Sequence, residues 1–143
     1  WFTAAPGAAN SIAGGKRPVV NMGPVLALRN GKPYLALGAP GGRRIIGCVV
    51  QILSNVLDHG MSMQAACSAA RTDSSSRSTL VDDRIEPAVI EALQAMGHRI
   101  DTVSEEANAT GYDFAHPTAI EVCDDGTVRC GVDPFRKMEA VGW

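Results

Sequence analysis

The residues whose types and spacing best suit chemistry are the run Pro40-Gly41-Gly42. An alternating apolar segment ends just before it, at Gly38, and a long apolar segment starts just after it, at Arg43. Proline stiffens a turn, and glycines let a ligand come close to backbone N–H groups. At the start of a helix such groups carry partial positive charge and favour an anion. The run therefore indicates a bound phosphate, the oxyanion of a reacting acyl group, or a tight turn without a ligand.

The spacing of the glycines disfavours the phosphate. The string "GAPGGR" matches neither G-x-G-x-x-G nor the G-x-x-x-x-G-K-[ST] pattern of a P-loop. From this stretch alone, a plain strand-to-helix turn is the simpler interpretation, and the oxyanion remains open.

Other residues able to do chemistry carry weaker patterns. His59, His98 and His116 lack the mutual spacing of metal ligands, so no metal site is predicted. The adjacent acidic pairs at 82–83 and 105–106 point in different directions on a strand or helix. Solvated surface is the expectation for both pairs.

The four cysteines form no C-x-x-C pair. Cys48 and Cys67 lie within apolar or helical patterns, which predicts buried free thiols. Cys123 and Cys130 flank the turn "DDGT", and this placement is compatible with a disulfide across a hairpin in an exported protein. No signal peptide is visible, so a periplasmic, secreted or cytoplasmic location stays open.

Length and composition describe one globular domain. The 143 residues are 45% apolar and 20% charged, which is enough for a core. The net charge of -2, without a Lys/Arg block, argues against a nucleic-acid surface or a polybasic membrane patch. The longest apolar segment, 45–57, is interrupted by polar residues and too short for a bilayer core of about 30 Å. No membrane segment is therefore predicted.

The elements that must position the Gly-Gly turn are a hairpin and a helix. Apolar runs at 25–29 and 34–37 are joined by Asn30-Gly31, the strongest short hairpin signal. The helix expected over 43–59 has apolar residues on nearly every face and ends at Gly60. Such a helix should be buried on more than one side.

The rest of the chain alternates helices and strands, and the order favours an α+β fold over a parallel βαβ array. Two hairpins would build one sheet with helices on one face, so the other face needs a further cover. The predicted segments are an irregular lead-in at 1–18, a short helix capped by Ser62, a surface loop at 72–78, one or two short strands in "STLVDDRIE", a helix from Glu86 to Met96, a strand in "HRIDTV", an irregular stretch through Tyr112 and a second hairpin around Asp125-Gly126.

Several blocks, read together, resemble the gamma-glutamyltranspeptidase family over nearly the whole chain, as the C-terminal part of its small subunit. These blocks include Gly15-Lys16-Arg17-Pro18, the turn Asn30-Gly31-Lys32-Pro33, the run 38–42, the helix end 55–60, and Asp133-Pro134 with Gly142-Trp143.

The resemblance implies an αββα sandwich of an N-terminal-nucleophile hydrolase, incomplete without the preceding chain. Such an enzyme is a proenzyme that cleaves itself into two subunits, and the new N-terminal Thr carries the acyl group. Thr3 is neither terminal nor in a matching motif, so the nucleophile is expected outside residues 1–143, and this chain alone should be inactive. The implied partners are the large subunit of the same proenzyme, a small-molecule amide or gamma-glutamyl substrate from glutathione metabolism, and a higher oligomer. No metal or organic cofactor is implied.

The resemblance also assigns site residues. Gly41 and Gly42 would supply oxyanion-hole N–H groups, and Val20, Asn21 and Met22 would contact the substrate. Where the family carries a Ser-Ser pair for the substrate α-carboxylate, this chain has Val20 and Asn21, and only Asn21 can donate a hydrogen bond. This departure predicts a related acylase or amidohydrolase specificity. The alternative is a non-catalytic member that acts as a binding or structural module.

Overall fold

The computed structural model describes residues 1–107 and 113–142. The irregular stretch expected through Tyr112 and the final Trp143 lie partly or wholly outside these residues. In chain order the elements are β1 (Val25–Arg29), β2 (Lys32–Gly38), a 3₁₀ turn (Gly42–Arg44), α1 (Ile45–Leu57), α2 (Met63–Ser68), β3 (Thr72–Asp73), β4 (Thr79–Asp82), α3 (Pro87–Ala95), β5 (Ile100–Val103), β6 (Thr118–Val122) and β7 (Val128–Val132).

The first predicted hairpin is confirmed. Strands β1 and β2 pair antiparallel, and the turn residues Asn30 (φ 52°) and Gly31 (φ 76°) both lie in the left-handed region. Two such residues form the turn whose twist matches that of the flanking strands. The turn thus fixes the register of the hairpin. In that register β2 ends at Gly38, just before the Gly-Gly run.

Both predicted hairpins join one sheet, with strand order β1-β2-β6-β7 and antiparallel pairing throughout. Helices α1 and α2 pack on one face of this sheet. The sheet contributes Leu35, Leu37 and Ala119 to the core, and the helices contribute Ile52 and Met63, among others.

Helix α1 is buried along one stripe only. Its buried residues recur at helical spacing: Ile45, Cys48, Val49, Ile52 and Val56. Ile46, Val50 and Leu57, on other faces, are exposed. The expectation of burial on more than one side is therefore wrong for the described residues, because nothing in them covers the outer apolar face.

The predicted ends of the helices are confirmed by their caps. The Ser62 side chain accepts a hydrogen bond from the Ala65 N–H (3.3 Å) at the start of α2. Gly60 follows α1 at φ 65°, a left-handed conformation that favours glycine. Pro87 stands in the first turn of α3 and Gly97 follows its end.

A second sheet differs from the expectation. Strands β3, β4 and β5 form it. Strands β4 and β5, which α3 connects along the chain, pair with each other in parallel. The segment 72–78 is accordingly not all surface loop: Thr72 pairs with Val81, and Asp73 is buried. A strand of two residues is too short to show the period of two that would reveal it.

Gly131, on β7, lies at a close approach of α2 to this strand. A Cβ atom placed on it would be 2.5 Å from the Met63 carbonyl oxygen and 2.9 Å from Cys67 Sγ. The backbone of α2 therefore rests directly on this strand, and only a residue without a side chain fits.

We expect Gly131→Ala to lower the free energy of unfolding by about 1–3 kcal/mol, because the methyl group must push α2 off the sheet. Chemical denaturation would measure it. Gly38→Ala is the matched control, since a Cβ there meets nothing within 4 Å. Equal stabilities of the two variants would contradict the close approach.

Candidate functional site

The Gly-Gly turn has the backbone geometry that its sequence predicts. Gly41 (φ 155°) and Gly42 (φ 63°) both adopt conformations that favour glycine. The Gly41 carbonyl accepts from the Arg44 N–H (3.2 Å), which starts the 3₁₀ turn before α1. Within 1–107 and 113–142, no acceptor takes the N–H of either glycine. Both N–H groups thus lack an acceptor among the described residues.

The segment 114–116 holds the turn in place. The His116 N–H donates to the Pro40 carbonyl (2.9 Å), and a Cβ atom on Gly41 would lie 2.4 Å from Ala115 Cβ. The turn therefore lies directly against the segment that precedes β6.

Of the three predicted substrate-binding residues, one lies beside the turn. Asn21 Nδ2 is 4.0 Å from where a Cβ on Gly42 would stand, and among the described residues this buried amide nitrogen has no hydrogen-bond partner. Val20 and Met22 are exposed by 64% and 77%. The structure thus brings the donor at position 21 to the Gly-Gly turn and leaves its neighbours open.

A cleft of about 430 Å³ opens at the two glycines. Arg44 Nε lies 3.8 Å from Asp73 Oδ2, within ion-pair distance but without a hydrogen bond, and that oxygen accepts a hydrogen bond from the Ser75 hydroxyl (2.7 Å). The Arg43 guanidinium lies 5.4 Å from the centroid of the Trp1 ring. Besides the two glycines, the residues that line the cleft are Trp1, Arg43, Arg44, Ser75 and Ser76.

Sequence reasoning missed these five lining residues. The basic pair directly after the glycines was a usable signal, since it stands at the mouth of a candidate anion site. Trp1 and the two serines gave none, because an irregular lead-in and a polar loop have no periodicity that predicts where they pack.

A buried ion-pair network lies behind the site. Arg71 pairs with Glu105 and with Asp133 (3.4 Å), and it donates to the Cys67 carbonyl (2.7 Å). Arg84 binds Asp82 (2.7 Å) and Glu105 (3.3 Å). Burial raises the pKa of the Glu105 carboxyl, and the Arg71 charge opposes this rise.

The expectation that Asp82 and Glu105 are solvated is therefore wrong, since they are 0% and 2% exposed. A charge can be buried when it is paired, and their partners are arginines. Arg71 lies 34 residues from Glu105 along the chain.

Glu105, His116 and Asp133 also bring three donor atoms within 4.8 Å of one another, the kind of group that could hold a metal. Arg71 already pairs with both carboxylates, and Arg136 Nε lies 3.1 Å from a His116 ring nitrogen. Burial and then the Arg136 charge lower the pKa of His116. The group is therefore an ion-pair cluster, and its arginines would repel a metal cation.

The cysteines do not form a site. Burial raises the pKa of Cys48 to about 12 and that of Cys67 to about 11, so both are unreactive thiols. Cys130 stands opposite Ile120, whereas the Cys123 N–H donates to the Thr127 carbonyl (2.8 Å). Three positions separate the two cysteines in the ladder, and both are free, so the disulfide across the hairpin is not formed.

Comparison with known proteins decides the family. The profile of the family described as Gamma-glutamyltranspeptidase matches residues 1–143. This chain belongs to the gamma-glutamyltranspeptidase family.

The relatives are hydrolases and acylases named as proenzymes. The chain is 31% identical over 143 residues to the glutathione hydrolase proenzyme of Bacillus subtilis (strain 168), covering 99% of this chain and 23% of that protein. It is 40% identical over 99 residues to the Acylase ACY 1 proenzyme of Pseudomonas sp. (strain SE83), covering 69% and 18%. The chain thus spans about a fifth of the length of these curated relatives.

Solved structures of the gamma-glutamyltranspeptidase family share the fold. An acivicin-inhibited gamma-glutamyltranspeptidase matches with a TM-score of 0.80 and 29% identity, over 96% of this chain and 77% of that one. The T380A mutant of the Helicobacter pylori enzyme matches with a TM-score of 0.78 and 29% identity, over 94% and 76%. The predicted α+β class, as part of an N-terminal-nucleophile hydrolase fold, is confirmed. No helix among the described residues has both the length and the apolar character needed to cross a membrane.

Proposed function

We propose that this chain is the C-terminal part of the small subunit of a gamma-glutamyltransferase-like amide hydrolase or acyltransferase. The observation that carries the proposal is the Gly41-Gly42 turn, whose N–H groups have no acceptor among the described residues and which lines a cleft together with Arg43 and Arg44. Membership of the family and the proenzyme names of its relatives support it.

The reaction would proceed through an acyl-enzyme. The hydroxyl of an N-terminal Thr outside this chain attacks the amide carbon and passes its proton to its own α-amine. The resulting oxyanion accepts hydrogen bonds from the Gly41 and Gly42 N–H groups. The C–N bond then breaks, the amine leaves with the proton, and water or a second amine takes the acyl group.

Acyl recognition would involve the segment 20–22. Asn21 supplies one donor beside the turn, whereas Val20 supplies none. A carboxylate that loses a donor on leaving water binds less well, so this segment should hold the α-carboxylate of a gamma-glutamyl group weakly. An acylase or amidohydrolase specificity follows.

The proposed partner is the large subunit of the same proenzyme. Two apolar surfaces need a cover: the outer face of α1, with Ile46 and Val50, and the open face of the four-stranded sheet, with Leu26, Leu28 and Ile120. Exposed apolar areas of this kind mark interaction surfaces.

The test is release of p-nitroaniline by the full two-subunit protein from gamma-glutamyl and plain acyl anilides. We expect turnover of at least one, with no strong preference for the gamma-glutamyl compound. A strong gamma-glutamyl preference would contradict the role given to Val20 and Asn21.

Absence of all turnover would contradict the enzyme assignment. It would favour the second candidate, a non-catalytic binding or structural module. The apolar Val20 at a position where a hydroxyl donor is expected is the observation that favours this alternative.

A further inference from the structure

His116 joins the Gly-Gly turn to the buried ion-pair network. Its backbone N–H donates to the Pro40 carbonyl (2.9 Å), and the residue before it, Ala115, lies against Gly41. Its ring Nδ1 lies 3.2 Å from Asp133 Oδ2, and both side chains are buried. The backbone that supports the turn and the ring that enters the network therefore belong to one residue.

Asp133 holds this segment at two points. Its side chain meets the His116 ring, and its own N–H donates to the Pro117 carbonyl (3.0 Å). Asp133 is itself fixed, because its Oδ1 accepts from the Phe135 N–H (2.8 Å) and Arg71 lies 3.4 Å from its Oδ2. A buried carboxylate with several donors makes a rigid network, so it keeps the ring in one orientation.

The contacts of the ring fit a neutral imidazole. With a proton on Nδ1, the ring donates to Asp133, and only Nε2 can then accept a hydrogen bond. Arg136 Nε lies 3.1 Å from Nε2, so its N–H has an acceptor there. These two partners assign the tautomer of His116.

The charges around the ring favour this neutral form. Arg136 and Asp133 face it from the segment after β7, Arg71 from the segment after α2, and Glu105 from the segment after β5. Burial and then the Arg136 charge hold the pKa of His116 below its ordinary value of 6.5, although Asp133 acts in the opposite direction. The ring is therefore neutral at neutral pH and takes up a proton only in acid.

We propose that His116 is a positioning residue that holds the Gly-Gly turn in the geometry that an oxyanion needs. The inference rests on the proposed function, because that function gives the Gly41 and Gly42 N–H groups their ligand. His116 does not touch the substrate in this role. It acts through the backbone, by its hydrogen bond to Pro40.

Protonation of the ring disturbs this support. An imidazolium offers no acceptor to the Arg136 N–H, and its charge stands 3.1 Å from that guanidinium nitrogen. The ring must then move, and the segment 114–117 moves with it. Because oxyanion donors act at about 2.7–3.1 Å, a small displacement of the turn that rests on this segment lowers turnover.

Two variants separate the charge of the ring from its hydrogen bond. His116→Asn keeps an N–H donor for Asp133 and takes up no proton, whereas His116→Ala keeps neither property. With the full two-subunit protein and p-nitroanilide substrates at neutral pH, we expect the kcat of His116→Asn to stay close to that of the wild type. We expect the kcat of His116→Ala to fall about 10- to 100-fold, since a displacement of about 1 Å can cost about 10² in rate. Equal losses in the two variants, or no loss in His116→Ala, would overturn the proposal.

The pH profile of kcat gives a readout that a residue with only a structural role would not move. The α-amine of the N-terminal Thr is the base of the proposed reaction, so its protonation alone gives log kcat an acid-side slope of about one. In the wild type, the His116 proton should make the profile steeper than this below about pH 6.5, whereas His116→Asn should keep the single slope. The control His98→Asn replaces an exposed histidine and should keep the wild-type profile. Profiles of the same shape in the wild type and His116→Asn would show that the ring does not control the turn.

Failure of the proposed function gives a different result, in which no protein hydrolyses any anilide. The Gly42 amide then decides the inference by itself, in NMR spectra of the two-subunit protein labelled with ¹⁵N-glycine and ¹³C-histidine. The Gly42 signal is the one that Gly42→Ala removes, and the ring signal is the one that His116→Asn removes. In the wild type both signals should shift together with pH, and over the same range the Gly42 signal should stay constant in His116→Asn. A Gly42 signal that does not follow the ring, or that shifts equally in the variant, refutes the inference.

Discussion

Replacement of Gly42 by Val is expected to lower the turnover of the full-length enzyme about 10²–10³-fold, the usual cost of losing one oxyanion donor. Gly42 has φ 63°, a conformation that a β-branched residue rarely adopts, and its Cβ would lie 3.1 Å from Trp1 Cζ2. The variant backbone must therefore rotate, which turns the N–H away from the oxyanion. Release of p-nitroaniline under saturating substrate measures the effect.

The sharpest control is Gly60→Val. Gly60 has nearly the same φ (65°), follows α1, and has open space around its missing Cβ. Both variants should lose similar thermal stability, but only Gly42→Val should lose turnover. Gly41 is a poorer test, because a Cβ there would collide with Ala115 at 2.4 Å and disturb the fold itself. Normal kinetics in Gly42→Val would show that the oxyanion assignment is wrong.

Local signals explain why much of the fold could be predicted from the sequence. Asn30-Gly31 and Asp125-Gly126 each select a tight hairpin whatever surrounds them, and Ser62 caps its helix through a contact three residues away. Strand β3 could not be predicted, because two residues show no period. The parallel pairing of β4 and β5 joins strands that α3 separates along the chain, and no short stretch of sequence encodes such a pairing.

The candidate site, like the fold, could be predicted where the signal is local and could not where it depends on distant segments. The turn at Gly41 and Gly42 could be predicted from residue type, because its backbone conformations favour glycine. The lining of the cleft could not be predicted in full, because Trp1 and Ser75 reach it from segments far apart in the chain. The acidic residues 82 and 105 look like surface charges in the sequence, since an arginine that pairs with one of them lies at position 71.

Arg71→Met should lower the free energy of unfolding by about 3–5 kcal/mol, because it leaves Glu105 and Asp133 buried without their shared cation. Arg71 is 1% exposed, so water cannot replace the lost partner. Chemical denaturation at neutral pH, compared with the wild-type protein, measures the loss. A change below about 1 kcal/mol, the range of a surface ion pair, would show that the network is not a buried unit.

The pH dependence of that loss separates charge from packing. Burial raises the pKa of Glu105 in the folded state, and removal of the opposing Arg71 charge raises it further. A group with a raised folded pKa contributes stability that is fully present below its unfolded pKa, about 4.3, and is lost as the pH rises through the folded value. The deficit of Arg71→Met should therefore be small below pH 4.3 and grow toward neutrality. Adding Glu105→Gln should recover part of the neutral-pH loss, whereas a deficit of the same size at every pH would assign it to lost packing of the Arg71 side chain.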